Sequence, residues 1–569
     1  MNFLKKADIQ ILLIQILISS LLFLLFSGFN FEILYFENFS WFLKPSITND
    51  IETYWISWEF FRGTDYLQFP FLLNPSYGEG LNVSIFHTDA IPLAAFLLRF
   101  FTDYLAENFQ YFGVWSLMSF FLMSFFSYKL LRIFIDNKTV CFLSSIFFLI
   151  APPFLDRVFL QQAISSHWLI IAAIYFYYTK EVRYANWNLL LVTSLLINGY
   201  LAMMVLAIFT SKMFLLYFKK NKSKLFARLF VSTFILIFTS YSAGLFSIGK
   251  GIKEGGFDIY GMSVLSFVNP SSPTGFYSLI FESLFSSSVL FVKEVEGFAF
   301  LGIGMIFILI ILTVLLVQPK IRPSSKLFSN MKLHIPIISI SIILLFYSLS
   351  NNIFLLGNVD FLGSQRIFSY DVPELLEPVV KVFRASGRFS WVFFYLVYFF
   401  LLVRTSEIVK PKSIVLILSL LLIVQIADSS NIIKIFRNEL SSTSEFQSSL
   451  NNIRLKDEVW LKVVGKYKKI NIYPLVNKPK DYTRMAFFAS ENGMSTNFGY
   501  FSRINHTTEE KLNRVMMRDF NTGDYPKNTL YVIQDDELWN SLLELNLNES
   551  DIFMDEVDGY KILIPYLDK

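Results

Sequence analysis

The sequence predicts a mainly α, polytopic membrane protein with a small α/β domain at its C-terminal end. Three observations carry that expectation. Hydrophobic residues make up 54% of the 569-residue chain and charged residues 17%, whereas soluble proteins carry about a quarter charged residues. Apolar runs recur at 11–26, 142–150, 229–238, 303–317, 337–346 and 414–424. A bilayer crossing needs about 20 apolar residues, fewer where neighbouring helices shelter the segment. Beyond about Ser429 the apolar runs give way to a polar, charged tail. The formal net charge of +4 is too small to point to nucleic acid.

The elements follow in chain order. Lys5 and Lys6 precede the first apolar run, and no small-residue cleavage motif follows it; the run reads as a retained first helix and signal anchor. Basic residues gather at Lys129/Arg132/Lys138, Lys180/Arg183, Lys219/Lys220/Lys222/Lys224, Lys320/Arg322/Lys326/Lys332 and Arg404/Lys410/Lys412. Lys and Arg favour cytoplasmic loops, so these clusters are expected inside, with an even number of crossings between them. Segment 139–179, interrupted by Pro152-Pro153 and a polar stretch, becomes a hairpin with its tip outside. Segment 187–218 becomes two short helices broken at Asn198-Gly199. Loops 249–296 and 352–388 fall outside, and the last apolar run, 413–427, delivers the tail outside. About eleven transmembrane helices result. The first outer loop, 30–110, holds an apolar piece at 90–101 that would reverse every later loop if it crossed; it is expected to be a re-entrant or interfacial helix. Residues 1–428 thus form the transmembrane domain and 429–569 a soluble exoplasmic α/β domain. In that tail, strands are expected at 469–473, 529–533 and 560–564, with helical patterns at 481–490 and 508–520.

The single cysteine, Cys141, sits in an apolar run. It allows no intramolecular disulfide and no cysteine metal site, and it reads as a small core hydrophobe. No phosphate-cradling Gly loop, HExxH or GxSxG is present.

The outer loops concentrate polar groups. In the first, Asn49-Asp50-Ile51-Glu52 precedes the aromatic stretch containing Trp55 and Trp58, and Tyr77-Gly78-Glu79-Gly80 leads to Phe86-His87-Thr88-Asp89. Asp50 and Asp89 each suit a helix cap. Asp50 equally suits a surface carboxylate that takes a proton from a hydroxyl or holds a divalent cation. The second loop carries Asp156-Arg157 and Ser165-Ser166-His167; the third carries Glu294-Val295-Glu296. The last ends Arg384-Ala385-Ser386-Gly387-Arg388, directly before a helix. Paired guanidiniums at a helix N-terminus suit a lipid phosphate; snorkelling at the interface is the other reading. His334 and His506 carry no expected role.

The segments TYWISWEFFRG, NPSYGEGLNVSIFHTDAIPL, FQYFGVWSL, SSHWLIIAAIYFYY, NGYLAMMVL, EGFAFLGIG and SYDVPELLEPVVKVFRASGRFSW, with LYVI and DGYKIL in the tail, together resemble a bacterial family of multi-pass membrane proteins known as a domain of unknown function. That family is similar in architecture to the GT-C superfamily of membrane glycosyltransferases. The resemblance implies a polyprenyl-phosphate-linked sugar donor and an acid early in the first outer loop: Asp50, with Asp89 and Glu52 next. It implies Arg384 and Arg388 on the lipid phosphate. The chain departs from that pattern at Asn49, at Asn198-Gly199-Tyr200 and at Gln161-Gln162, where the family commonly has Gly, His-Pro-Tyr and Gly-His.

The expected function is therefore transfer of a sugar from a polyprenyl-phosphate carrier to a glycan, lipid or protein acceptor of the cell envelope, on the outer face of a bacterial cytoplasmic membrane. Asp50, Asp89 and Glu52 are the candidate catalytic acids. Arg384, Arg388, Arg157, His87, His167 and Glu296 are candidate substrate-binding groups, and Trp55, Trp58 and Tyr77 are expected to stack on sugar or lipid. Mg or Mn is a candidate cofactor. The alternatives are a non-catalytic lipid-linked glycan transporter and an envelope assembly scaffold. A transporter would place ionisable residues within spans and often shows internal repeats; neither stands out here.

Overall fold

The computed structural model describes residues 6–42, 50–181, 183–217, 222–249, 255–284, 294, 296–317, 327, 330–357, 365–440, 453–546 and 552–567. Lys5, Asn49, Lys219, Lys220, Lys320, Arg322 and Lys326 lie outside the described residues.

The chain is mainly helical. In order, the helices of its first three quarters are α1 (Lys6–Phe26), α2 (Ile51–Arg62), α3 (Pro92–Arg99), α4 (Phe112–Leu131), α5 (Lys138–Leu149), α6 (Pro152–Val158), α7 (Trp168–Tyr178), α8 (Tyr184–Ile197), α9 (Gly199–Tyr217), α10 (Lys222–Ser242), α11 (Leu279–Leu284), α12 (Ile303–Val317), α13 (Met331–Ser348), α14 (Glu377–Val382), α15 (Ser390–Ile408), α16 (Pro411–Asp428) and α17 (Ser430–Leu440). Among the described residues, seven helical segments are long and apolar enough to cross a membrane: Ile9–Phe26, Phe112–Leu131, Gly199–Tyr217, Leu225–Ser242, Met331–Ser348, Ser386–Ile408 and Pro411–Asp428. The α5–α6 pair passes the same test but bends by 53°. Its cause is Pro152-Pro153: a residue before proline avoids the helical region, and Ala151 sits at φ −64°, ψ 125°. Three shorter apolar helices, α7, α8 and α12, complete the set. α3 has eight residues, too short to span.

Local chemistry sets the breaks. α8 stops at Asn198, which is extended, and the Asn198 side-chain carbonyl accepts the Tyr200 N–H at 3.0 Å, opening α9. Lys212 on α9 is buried and donates to the Tyr177 and Thr179 carbonyls at 2.5 and 3.1 Å. Its charge thus closes the C-terminal end of α7, where unpaired carbonyls favour a cation. At the start of α4, a Cβ on Gly113 would lie 1.8 Å from the Ile33 carbonyl oxygen, so only glycine lets those backbones meet.

The chain divides into two compact units: Met1–Leu34, Tyr111–Leu236 and Gly255–Ser441; and Tyr35–Gln110, Ile237–Glu254 and Ser442–Lys569. The first holds nearly all the apolar helices and two small hairpins, β1 (Ser271–Ser272) with β2 (Gly275–Phe276), and β3 (Asn352–Leu356) with β4 (Gln365–Ser369). α17 belongs to it, so the compact units do not follow a division at 428/429.

The second unit joins the first long loop to the tail. Its sheet contains β5 (Lys469–Tyr473), β6 (Ser495–Thr496), β7 (Thr529–Ile533), β8 (Ile552–Val557) and β9 (Tyr560–Pro565), in the order β6-β5-β7-β9-β8. β5 pairs in parallel with β6 and β7, while β9 runs antiparallel to β7 and β8. Helices Tyr482–Glu491 and His506–Thr522 link the parallel strands. β7, TLYVI, is buried at every residue, as a strand covered on both faces should be. The first loop then extends the sheet past β6. Thr496 N–H donates to the Ser76 carbonyl at 2.9 Å, and Glu79 N–H donates to the Thr496 carbonyl at 2.6 Å. The Glu79 carboxylate also accepts from the Lys469 ammonium and the Ser495 hydroxyl. An edge strand left open invites foreign pairing; here the chain's own loop covers it.

Candidate functional site

Within the helical unit three segments bring charges together. Pro152-Pro153 starts α6 so that Asp156 and Arg157 turn inward, both buried. Arg388 lies in the 3-10 turn Ser386–Phe389 that leads into α15. The third contributor is Glu296. Arg388 grips it as a fork, Nε to Oε2 at 2.9 Å and Nη2 to Oε1 at 2.7 Å, and Arg157 Nη2 reaches Oε2 at 3.1 Å. Arg157 Nε stands 3.5 Å from Asp156 Oδ2, and the Thr274 hydroxyl donates to Asp156 Oδ1 at 2.7 Å. Burial alone would raise the Glu296 carboxyl, but the guanidiniums of Arg157 and Arg388 hold it down at about 2. It is ionised at any physiological pH.

Arg384 adds a third guanidinium nearby, felt by Glu296 through space. It donates to the Gly255 carbonyl at 3.2 Å and lies 5.5 Å from the centre of the Tyr260 ring. Arg388 lies 4.7 Å over the Tyr200 ring, a cation–π contact, and the Tyr200 hydroxyl accepts the Ala385 N–H at 3.1 Å. The glycine between the arginines has a packing reason. A Cβ on Gly387 would sit 2.6 Å from the Gly297 Cα, so the turn bearing Arg388 rests directly on the backbone beside Glu296. The Ser386 hydroxyl, fully buried, has no hydrogen-bond partner among the described residues.

His167 is fully buried at the start of α7; its Nδ1 meets the Tyr395 hydroxyl at 2.7 Å and its ring lies 4.1 Å from that of Trp391. Glu294, which sequence reasoning did not single out, is also fully buried. Its Oε1 accepts from the Ser263 hydroxyl and from Asn269 at 3.3 Å, and its Oε2 has no hydrogen-bond partner among the described residues. Burial pushes this carboxyl up to about 7. The Glu-Val-Glu spacing is the signal that could have flagged it: two carboxylates on one loop acquire opposite environments.

The loop-and-tail unit holds the other expected residues. Asp50 stands half-buried at the N-cap of α2, yet its side chain makes no capping hydrogen bond. Glu52, in the first turn of α2, accepts from the Thr483 hydroxyl at 3.2 Å; burial raises its carboxyl, with Asp50 adding to the rise and Lys478 opposing it. Asp89 does not open α3. It ends a 3-10 turn in the left-handed region at φ 52°, and Ile91, also at φ 52°, precedes Pro92. A β-branched residue there is strained. The Pro92 ring fixes φ at α3's first residue.

The stacking expected of Trp55, Trp58 and Tyr77 does not fit their packing, because their faces are already covered and all three are fully buried. Trp55 stacks on Phe39 at 4.3 Å. Trp58 donates its indole N–H to the Phe109 carbonyl at 3.0 Å. Tyr77 stacks on Phe60 at 5.0 Å and accepts the Tyr500 N–H at 3.3 Å. Substrate contact by His87 is equally at odds with the structure. Its Nδ1 accepts the Ser84 N–H at 3.1 Å, which leaves Nε2–H to donate to the Leu245 carbonyl at 3.3 Å. Burial pushes it down to about 4, so it is a neutral staple between loop segments. Among the described residues no group of three or more His, Cys, Asp or Glu converges to hold a metal ion.

No curated protein matches the chain. Residues 459–565 match the DUF6311 C-terminal domain, and residues 16–430 match the domain of unknown function DUF6311. With nearly three quarters of its length inside the latter match, the chain belongs to the DUF6311 family.

Proposed function

We propose that this protein is a GT-C-like glycosyltransferase that moves a sugar from a polyprenyl-phosphate carrier to an acceptor of the cell envelope. The observation that carries the reading is the cluster of Arg157, Arg388 and Arg384 around Glu296. Three guanidiniums stand against the carboxylates of Glu296 and Asp156, so the cluster keeps a positive excess in a largely buried setting. Such an excess attracts an anion, and arginine suits the oxygens of a phosphate. Glu296 fixes the forks of Arg157 and Arg388 in advance, and charge stabilisation is strongest when donors are held ready before reaction.

In the proposed step the acceptor oxygen bonds to the anomeric carbon of the donor sugar. The bond from that carbon to the phosphate oxygen breaks, and its electron pair leaves on the lipid phosphate, which Arg388 and Arg384 stabilise. The acceptor hydroxyl proton goes to a carboxylate, the role that the likeness to GT-C enzymes gives Asp50. Glu52 and Asp89 are the next candidates. No step is routed through Mg or Mn; among the described residues no group of three or more His, Cys, Asp or Glu converges to hold such an ion. Eleven crossings follow if α5–α6 and the three shorter helices also cross. With the basic clusters inside, that count puts the N-terminus in the cytoplasm and the tail outside, in a bacterial cytoplasmic membrane.

The test is a transfer assay comparing wild type with Asp50→Asn and Arg388→Ala. Loss of turnover in both supports the assignment; full activity in both eliminates it.

A further inference from the structure

We propose that the outer-loop segment 365–382 docks onto the bilayer surface and holds the Arg384–Arg388 turn at headgroup depth. The segment carries β4 and α14, and most of its large apolar side chains are exposed, Val380 being the buried one in α14. Phe368 is 58% exposed, Ile367 59%, Leu375 87%, Val379 44% and Val382 50%. Every residue of β4 is exposed, although β3 beside it is partly covered. A run of this size left to water marks an interaction site.

The chain itself states what covers it. α13 is a candidate span, only 22% buried within the protein, and its last turns expose Ile343 at 60% and Phe346 at 69%. That helix ends at Ser348, and β3 begins at Asn352. Four residues reach at most about 14 Å, and the headgroup layer is roughly 5–8 Å deep on each side of the hydrocarbon. The hairpin is therefore tethered within reach of the headgroup layer at the end of α13. At the other end, the candidate span Ser386–Ile408 starts four residues after Val382. Both ends of the segment thus lead into candidate spans. Apolar groups on such segments settle about 5–10 Å into the headgroup and acyl boundary. Arg384 and Arg388 follow directly, so docking would present their guanidiniums where a lipid phosphate lies. The docking rests on α13 and the 386–408 segment being spans, and stands or falls apart from sugar transfer.

The test is site-directed spin labelling of the full chain in phosphatidylethanolamine–phosphatidylglycerol vesicles. Cys141 is buried, so Phe368→Cys and Leu375→Cys give single labelled sites, with Arg514→Cys as an exposed reference in the tail. Labels at 368 and 375 are expected to be severalfold more accessible to oxygen than to a water-soluble nickel chelate, with the reverse at 514. Chelate accessibility at 368 and 375 equal to that at 514 overturns the proposal. Protection from both reagents overturns it too, because a second copy or another protein would then cover the face.

Discussion

Replacing Glu296 with Gln removes one negative charge from between two guanidiniums while keeping the side chain's size. The carboxylate stands 3.1 Å from Arg157 and 2.7 Å from Arg388, and all three side chains are only 5–12% exposed. At an effective dielectric of about 20, each pair is worth roughly 5–6 kcal/mol before desolvation. Burial offsets much of that, and removing one partner of a buried pair costs about 3–5 kcal/mol in practice. The depressed carboxyl points the same way. Holding the carboxyl at about 2 against an ordinary 4.5 corresponds to roughly 3 kcal/mol in favour of the charged form. Gln also points its amide donors at guanidiniums that can only donate. Thermal unfolding in detergent should therefore show Glu296→Gln several degrees less stable than wild type near neutral pH. The sign in acid is fixed as well. A carboxyl depressed in the fold stabilises fully above the unfolded value and loses that contribution as pH falls from about 4.5 towards 2. The gap between wild type and variant should narrow across that window. Equal stability at pH 7, or a gap unchanged between pH 5 and pH 3, would refute the role given to this ion cluster.

Other outcomes follow from the same structure. Glu294 titrates upward, to about 7, so wild-type stability should decline between pH 4.5 and 7 as the buried group is forced to ionise. Glu294→Gln should remove that decline and unfold at higher temperature than wild type at pH 8. His87→Ala leaves the Ser84 N–H and the Leu245 carbonyl without their ring partner, at a cost of about 1–3 kcal/mol; a melting temperature equal to wild type would contradict it. Gly113→Ala drives a Cβ into the Ile33 carbonyl oxygen and should sharply lower the yield of folded protein, measured by size-exclusion chromatography. Backbone amides of Glu79 and Thr496 should be protected from hydrogen exchange in the intact chain, and exchange at loop rates would contradict the extension of the sheet beyond β6.

Much of the fold was legible because its signals are local. Strands 469–473 and 529–533 fall where apolar and β-branched residues cluster between polar stretches. The break at Asn198 and the short α3 also fall where the sequence put them. The pairing of Ser76–Glu79 with Thr496 was not legible. It joins backbones more than 400 residues apart, and side-chain periodicity carries no trace of it. The aromatic residues of α2 misled for a related reason: an aromatic face suits a ligand or a protein partner equally, and Phe39 and Phe109 fill the space. Arg157, Glu296 and Arg388 each stood out singly. That one carboxylate holds two of the arginines depends on Gly387 resting on Gly297, a close approach that no spacing reveals.

The central claim is tested most directly by incubating the purified protein with a labelled polyprenyl-phosphate sugar and following release of the lipid phosphate in the presence of candidate acceptors. Release that depends on Arg388 and on Asp50 is the predicted result. A protein that binds or moves the lipid-linked sugar while leaving its glycosyl–phosphate bond intact would contradict it.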